Sequence, residues 1–260
     1  MNHKPVVVGI DGSPAADVAI RWATFEAAAL HTQLRLIHTI TPGDSASDAG
    51  DIVYKAVALS HGLRPALDRD PRIETGSPSA VLAKASGDAE LLVIGSRGLS
   101  LMAGALVGST GLDLAANARC PVVVVRPDLG AESGTRVVIG YDGSPAGEAA
   151  LDFGLEYARR HDLAVRVVAA QPVGTELHRI TETELRNAVH SRGGHDAELI
   201  RITGHPAEHL LRLAADANLI VLGARGRGGF TGMLIGSVSQ TVLHHADCPV
   251  AVIPAAAIEG

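Results

Sequence analysis

The chain repeats itself, and that limits its possible folds more than any other feature. Val6-Val7-Val8-Gly9-Ile10-Asp11-Gly12-Ser13-Pro14-Ala15 recurs as Val137-Val138-Ile139-Gly140-Tyr141-Asp142-Gly143-Ser144-Pro145-Ala146, offset by 131 residues. Leu92-Val93-Ile94-Gly95-Ser96-Arg97-Gly98 recurs as Ile220-Val221-Leu222-Gly223-Ala224-Arg225-Gly226, offset by 128. Gly108-Ser109 and Cys120-Pro121-Val122 return as Gly236-Ser237 and Cys248-Pro249-Val250 at that second offset. Order and spacing that survive over so long a period, with one small indel, mark a duplicated domain rather than a solenoid array. The 260 residues therefore divide into domains 1–127 and 135–260, with a linker at 128–134. The stretch Pro127-Asp128-Leu129-Gly130-Ala131-Glu132-Ser133-Gly134 is polar and contains Gly and Pro, as a linker should.

Within each copy, apolar runs alternate with helical periodicity. Val6–Ile10 is a strand running into the turn Asp11-Gly12-Ser13, and Pro14 suits the first position of a helix capped by Ser13. Val18, Trp22, Phe25 and Ala29 form one helix stripe, as do Ala146, Ala150, Phe153 and Tyr157. Further strands are expected at 34–40, 91–95 and 122–125, and at 164–170, 219–223 and 250–253. Helices are expected at 51–61, 78–86, 176–191 and 206–215, with another starting at Ser109 and at Ser237. Apolar residues make up 47 % of the chain and aromatics only 3 %, so Ala, Val, Leu and Ile must build the core. Strands covered on both faces have that composition. The expected class is α/β: two tandem, doubly wound, mostly parallel five-stranded sheets of Rossmann-like form.

Ligands of such sheets bind beyond the carboxyl ends of strands. There each copy carries the same glycine spacing: Gly95, Gly98, Gly108-Ser109, and Gly223, Gly226, Gly236-Ser237. Glycine permits positive φ and close approach of backbone to a ligand. The unpaired N–H groups of a helix's first turn attract phosphate. Asp11 and Asp142 end the first strand of their copies, where a carboxylate can accept ribose hydroxyls. The same Asp-Gly-Ser-Pro pattern also favours an Asx turn that needs no ligand.

These residues resemble the universal stress protein family over essentially the whole chain, one domain per half. The spacing G-x2-G-x9-G-[S/T] of its ATP-binding subgroup is intact in both copies, and the Gly-Ile-Asp-Gly-Ser and Cys-Pro-Val-Val-Val segments are similar to the family's. The resemblance implies an adenine nucleotide alpha hydrolase-like fold. It implies nucleotide contacts at Gly9, Asp11, Gly95, Ser96, Arg97, Gly98, Gly108, Ser109 and Thr110 in the first copy. In the second they fall at Gly140, Asp142, Gly223, Ala224, Arg225, Gly226, Arg227, Gly228, Gly236, Ser237 and Val238. The adenine is expected near Thr39 and Ala170. The family's fifth strands pair across domains, which implies an internal pseudo-dimer and a homodimer of chains. ATP, ADP and AMP all suit these donors, with or without Mg²⁺. The second copy adds Arg227, Gly228 and Gly229 to its loop and places Gln240 three residues after Ser237, a capping-box arrangement. Gly111 weakens the corresponding turn in the first copy. Both sites are expected to bind, the second more tightly.

Other chemistries fall away. The net charge of −6 and the scarcity of aromatics disfavour nucleic acid. There is no Gly-Lys dipeptide, His-Glu-x-x-His, Cys-x-x-Cys or Gly-x-Ser-x-Gly. Cys120 and Cys248 read as small buried residues at strand starts rather than a disulfide. His205/His209 and His244/His245 lack a convincing third metal ligand. No apolar run of 18 residues occurs, so no membrane role is expected and the cytoplasm is the default location. The expected function is a nucleotide-responsive regulator in stress adaptation, acting on an unidentified protein partner and not as an enzyme. The alternatives are a slow ATP hydrolase and a scaffold in which nucleotide is only structural.

Overall fold

A computed structural model of the chain describes residues 4–42, 45–96, 108–126, 134–171, 180–226 and 235–258. These fall into two compact units, one within 1–128 and the other within 129–259. The expected linker, apart from Gly134, lies outside the described residues.

In the first unit the order is β1 (Val6–Ile10), α1 (Pro14–Ala29), β2 (Leu34–Ile40), α2 (Ala46–Leu63), β3 (Arg69–Thr75), α3 (Pro78–Ala85), β4 (Leu91–Gly95), α4 (Ser109–Asn117) and β5 (Val122–Val125). The second unit runs β6 (Arg136–Tyr141), α5 (Pro145–His161), β7 (Ala164–Gln171), α6 (Glu182–His190), β8 (Glu198–Thr203), α7 (Pro206–Leu213), β9 (Ala217–Gly223), α8 (Ser237–His245) and β10 (Val250–Ile253). The strands of the first unit lie in the order β3-β2-β1-β4-β5, and those of the second in the order β8-β7-β6-β9-β10. The ladders within each unit are parallel. The chain steps outward from β1 to β2 and β3, then returns across β1 to β4. The order therefore reverses between β1 and β4, and likewise between β6 and β9.

Central strands carry the core. Val6, Val7, Val8, Leu92 and Val93 are fully buried, as are Val137, Val138, Ile139, Leu219, Ile220 and Val221. Cys120 and Cys248 form no disulfide and are buried just ahead of β5 and β10. Burial, and then the nearby Glu90 carboxylate, push the Cys120 thiol up to about 12.

Several expected boundaries and faces differ. The buried side of α1 is Ala16, Ala19, Ile20, Ala23 and Ala27, whereas Phe25 is 43 % exposed and Val18, Trp22 and Ala29 are only half-buried. One reason is distance: the start of α1 approaches β4 so closely that a Cβ on Gly95 would lie 2.7 Å from the carbonyl carbon of Ala15, which favours the alanine side of the helix there. In α5, by contrast, Ala146, Ala150 and Tyr157 are buried as expected. Helix α2 begins at Ala46, where the Ser45 hydroxyl accepts the Asp48 N–H. Helix α6 begins at Glu182 rather than 176, because Thr181 and Glu184 form a capping box there. Residues 176–179 lie outside the described set. Strands β3 and β8 are charged edge strands without an apolar run, which is why their positions are not evident from hydropathy.

Candidate functional site

Strand order reverses between β1 and β4 and between β6 and β9, and ligands of doubly wound sheets bind beyond the carboxyl ends of strands at such a place. At the first of these ends Asp11 Oδ1 accepts the Ser13 N–H at 2.9 Å. In the second unit Asp142 Oδ1 accepts both the Ser144 N–H at 3.0 Å and its hydroxyl at 2.6 Å. Gly12 and Gly143 lie between, with φ of +79° and +67°, a conformation open to glycine. The same serines cap the next helices, accepting the Ala16 and Gly147 N–H groups at 3.2 and 3.0 Å. The Asx turn therefore forms, and it engages one carboxylate oxygen. The other oxygen of Asp142 points toward Gly226, where a Cβ would stand 2.4 Å from it.

The third glycine of each motif returns to the strand end. Gly108 N–H donates to Ser96 O at 2.9 Å, and Gly236 N–H donates to Ala224 O at 2.8 Å. Ser96 and Ala224 are themselves fixed, donating to Val125 O at 2.7 Å and Ile253 O at 2.8 Å. The starts of α4 and α8 are thus docked beside β4 and β9. Their N-caps are Gly108 and Gly236, which offer no side-chain acceptor to the first turn. Ser109 and Ser237 follow at the first helical position, both exposed, with Thr110 and Val238 half-buried behind them. This overturns the expected capping box: with the cap at Gly236, Ser237 sits one residue too far in, and the Gln240 N–H makes an ordinary helical bond to Gly236 O.

The motif's glycines serve different purposes. A Cβ on Gly95 would lie 2.7 Å from the carbonyl carbon of Ala15, and one on Gly223 2.8 Å from that of Ala146. These two glycines let α1 and α5 pack onto the sheet. Gly9 and Gly140 are also packing positions, since a Cβ would meet Leu82 Cδ1 at 2.8 Å and Leu222 Cδ2 at 2.3 Å. Positive φ, expected for the loop glycines, is absent at Gly108 and Gly236, both at −71°. Arg97, Gly98, Arg227 and Gly228 lie outside the described residues. Arg225 is exposed at the end of β9, and its carbonyl accepts a long 3.4 Å bond from Ser144 Oγ. Thr39 lies half-buried near the end of β2, and Ala170 is in β7.

Ser96 is 1 % exposed, and its hydroxyl has no hydrogen-bond partner among the described residues. A buried hydroxyl without a partner costs about 1–3 kcal/mol.

Three features are not evident from the sequence. His38 Nδ1 lies 2.8 Å from Ile10 O, and since a carbonyl only accepts, the ring donates and ties β2 to β1 just ahead of Asp11. Tyr141, at the place of Ile10 in the second unit, donates to Glu148. Arg192 pairs with Glu148 at 2.9 Å and with Asp152 at 2.5 Å, and the Asp152 hydrogen bond raises its pKa above the usual arginine value. Ser239 Oγ donates to Gly223 O at 2.7 Å, tying the first turn of α8 to the end of β9. Among the described residues, no group of three or more His, Cys, Asp and Glu side chains is placed to hold a metal, and no helix is long and apolar enough to cross a membrane.

Comparison with known proteins agrees with this architecture. The family model described as the universal stress protein family matches residues 2–126 and again 134–254. A universal stress protein of Mycolicibacterium smegmatis is 33 % identical, the alignment covering 95 % of this chain and 96 % of that one. One from Mycobacterium tuberculosis strain H37Rv is 32 % identical with the same coverage. Among solved structures, a universal stress protein from Archaeoglobus fulgidus superposes with a TM-score of 0.72 at 18 % identity, covering 98 % of this chain and 99 % of its own. A protein from Pseudomonas aeruginosa described as a putative universal stress protein gives 0.73 at 18 % identity, covering 98 % and 95 %. With two matches of the family model, one in each α/β unit, the chain belongs to the universal stress protein family as a tandem member.

Proposed function

We propose that each unit binds one adenine nucleotide in the crevice between β1 and β4, or between β6 and β9, and that occupancy regulates a protein partner during stress adaptation. The observation that carries this reading is the start of α4 and of α8, each without a side-chain cap and docked by the Gly108 or Gly236 N–H on the end of β4 or β9. Phosphate oxygens would meet the first-turn N–H groups of α4 and α8, with the Ser109 and Ser237 hydroxyls at the same end. Asp11 and Asp142, just beyond the carboxyl ends of β1 and β6, would meet the ribose. ATP with Mg²⁺ satisfies these donors, and ADP and AMP use fewer of them. A nucleotide acts as a signal only if it prefers one of two states of the protein or of its complex.

Mass analysis of what the native protein releases on denaturation tests the ligand class, and calorimetry with ATP tests the sites. Asp→Asn keeps the oxygen that accepts in the Asx turn and removes the charge. Two nucleotides per chain are expected, falling to one in Asp11→Asn and in Asp142→Asn and to none in the double variant. Unchanged stoichiometry in the double variant would overturn the assignment.

A further inference from the structure

The two units differ most on the outer side of their edge strands, and the difference opens a groove in one of them. Positions 69, 71 and 73 of β3 correspond to 197, 199 and 201 beside and within β8, at the same offset of 128. In the first unit Arg69 fills the space beneath α2. Its Nε donates to Ser60 Oγ at 2.9 Å, and its terminal nitrogens donate to the Ser60 carbonyl at 2.9 Å and to those of Arg64 and Leu67. Helix α2, eighteen residues long, covers the strand. In the second unit Ala197 stands where Arg69 does, and α6 has nine residues. The missing side chain leaves a groove of about 550 Å³ between α6 and β8. Ala197 and Leu199 supply its apolar wall, and Arg186, His190, Arg201 and Glu182 its polar one.

The strand edge differs in the same direction. Pro71 takes part in an unbroken ladder to β2, pairing with Leu36. A proline within a strand is tolerated only where its nitrogen faces away from the neighbouring strand. That register therefore points its nitrogen at the open side, and in β3 the open side has no donor. Proline and charge are the usual means of protecting an edge from further strands. At the same register β8 has Leu199, whose nitrogen carries a hydrogen. Strand β8 reads Glu198-Leu199-Ile200-Arg201-Ile202-Thr203, rich in β-branched residues, and among the described residues no strand pairs with its outer side.

We infer that the α6–β8 groove is an interaction surface that takes an extended acidic segment of another protein, added as a further strand to β8. Main-chain bonds to an exposed edge supply affinity in this mode, and pockets for alternate side chains supply specificity. The side chains of the added strand that face α6 would enter the groove. There Arg201 has no ion pair among the described residues, and Arg186 is held at 2.5 Å by Glu182, its neighbour on the helix. Two arginines against one glutamate make this a locally cationic place in a chain of net charge −6. An acidic strand is therefore favoured, and a basic one would meet both Arg201 and the edge of the cationic wall. The inference does not depend on the nucleotide reading.

The test uses the full chain and a degenerate pool of eight-residue fluorescent peptides with Asp or Glu at every second position and Thr between, followed by anisotropy. A pool with Lys in place of the acids is the control. The acidic pool should bind at least tenfold better than the Lys pool. Leu199→Pro, which copies the first unit's edge, and Ala197→Arg, which refills the groove, should each weaken binding at least tenfold without changing the circular dichroism spectrum. Arg201→Glu should shift preference toward the Lys pool, and it keeps the test intact if the proline variant misfolds. Equal binding of the two pools, or binding that survives both Ala197→Arg and Arg201→Glu, would overturn the inference. So would complete displacement of the acidic pool by millimolar inorganic phosphate, which would reveal a simple anion site.

Discussion

Gly95 illustrates how a residue shared with a binding motif can be structural. Adding a Cβ there places it 2.7 Å from a backbone carbon and 2.8 Å from the Cβ of Ala15, neither of which can swing away. Overpacking of this kind costs roughly 1–3 kcal/mol. Gly95→Ala and Gly223→Ala should therefore lower the urea midpoint, while Gly108→Ala, whose Cβ would meet only Ser96 O at 3.9 Å among the described residues, should leave it nearly unchanged. A second residue-scale expectation concerns charge. Arg35 pairs with Asp70 at 2.8 Å and with Asp88 at 3.7 Å, and Arg166 pairs with Glu198 at 2.8 Å and Asp216 at 3.7 Å at the corresponding positions. In the first unit the Arg72 hydrogen bond, and after it Arg35, hold the Asp70 carboxyl below its usual 3.8, against the opposing effect of burial. A depressed folded-state pKa contributes stability above the unfolded value and loses it as pH falls through the folded one. Asp70→Asn should thus be less stable than the parent at neutral pH, and the gap in melting temperature should close as pH drops below the carboxylate range.

At the scale of elements, what could be read from the sequence depended on whether a local signal competed with tertiary packing. Strands β1, β4 and β5 are unbroken apolar runs, and Ser13-Pro14 and Ser144-Pro145 are unambiguous helix starts, so these are legible. The buried face of α1 was not, because the bulky stripe through Trp22 and Phe25 scores as the apolar side while close approach at Gly95 selects the alanine side. Strands β3 and β8 have ion-paired edge sequences that hydropathy cannot distinguish from loops. In the candidate site the Asp-Gly-Ser turns and glycine spacing were legible. His38, Ser239 and the orphaned state of Ser96 were not, because each depends on which strands become neighbours. The capping box makes the same point: Ser237 and Gln240 have the right spacing and the wrong register, whereas Thr181 and Glu184 form the box. The Glu184 N–H donates to Thr181 Oγ at 3.1 Å, and Glu184 accepts the Thr181 N–H at 2.7 Å. For a helix of nine residues that cap matters. Thr181→Ala should cost about 1 kcal/mol, seen as faster amide exchange in α6 with α2 unaffected.

At the scale of the whole molecule, duplication supplies two candidate sites whose differences should show as two affinities. The first site has the buried Ser96 hydroxyl where the second has Ala224. The second has Ser239 at the place of Gly111, and its bond to Gly223 O fixes the first turn of α8 against the strand before any ligand arrives. Holding donors in place beforehand lowers the ordering cost that binding must meet, while glycine at the matching position of α4 leaves that turn to be ordered by the ligand. On the nucleotide reading, preorganisation outweighs one extra hydroxyl, and the second site is the tighter. Calorimetry on Asp11→Asn, which isolates the second site, should then give a dissociation constant several-fold below that of Asp142→Asn, which isolates the first. Adding Ser239→Ala to Asp11→Asn should erase most of that advantage, because the freed turn must be ordered on binding. If the two isolated sites bind equally, or if Ser239→Ala leaves the second site unchanged, the tie between α8 and β9 is structural and the units are equivalent as receptors.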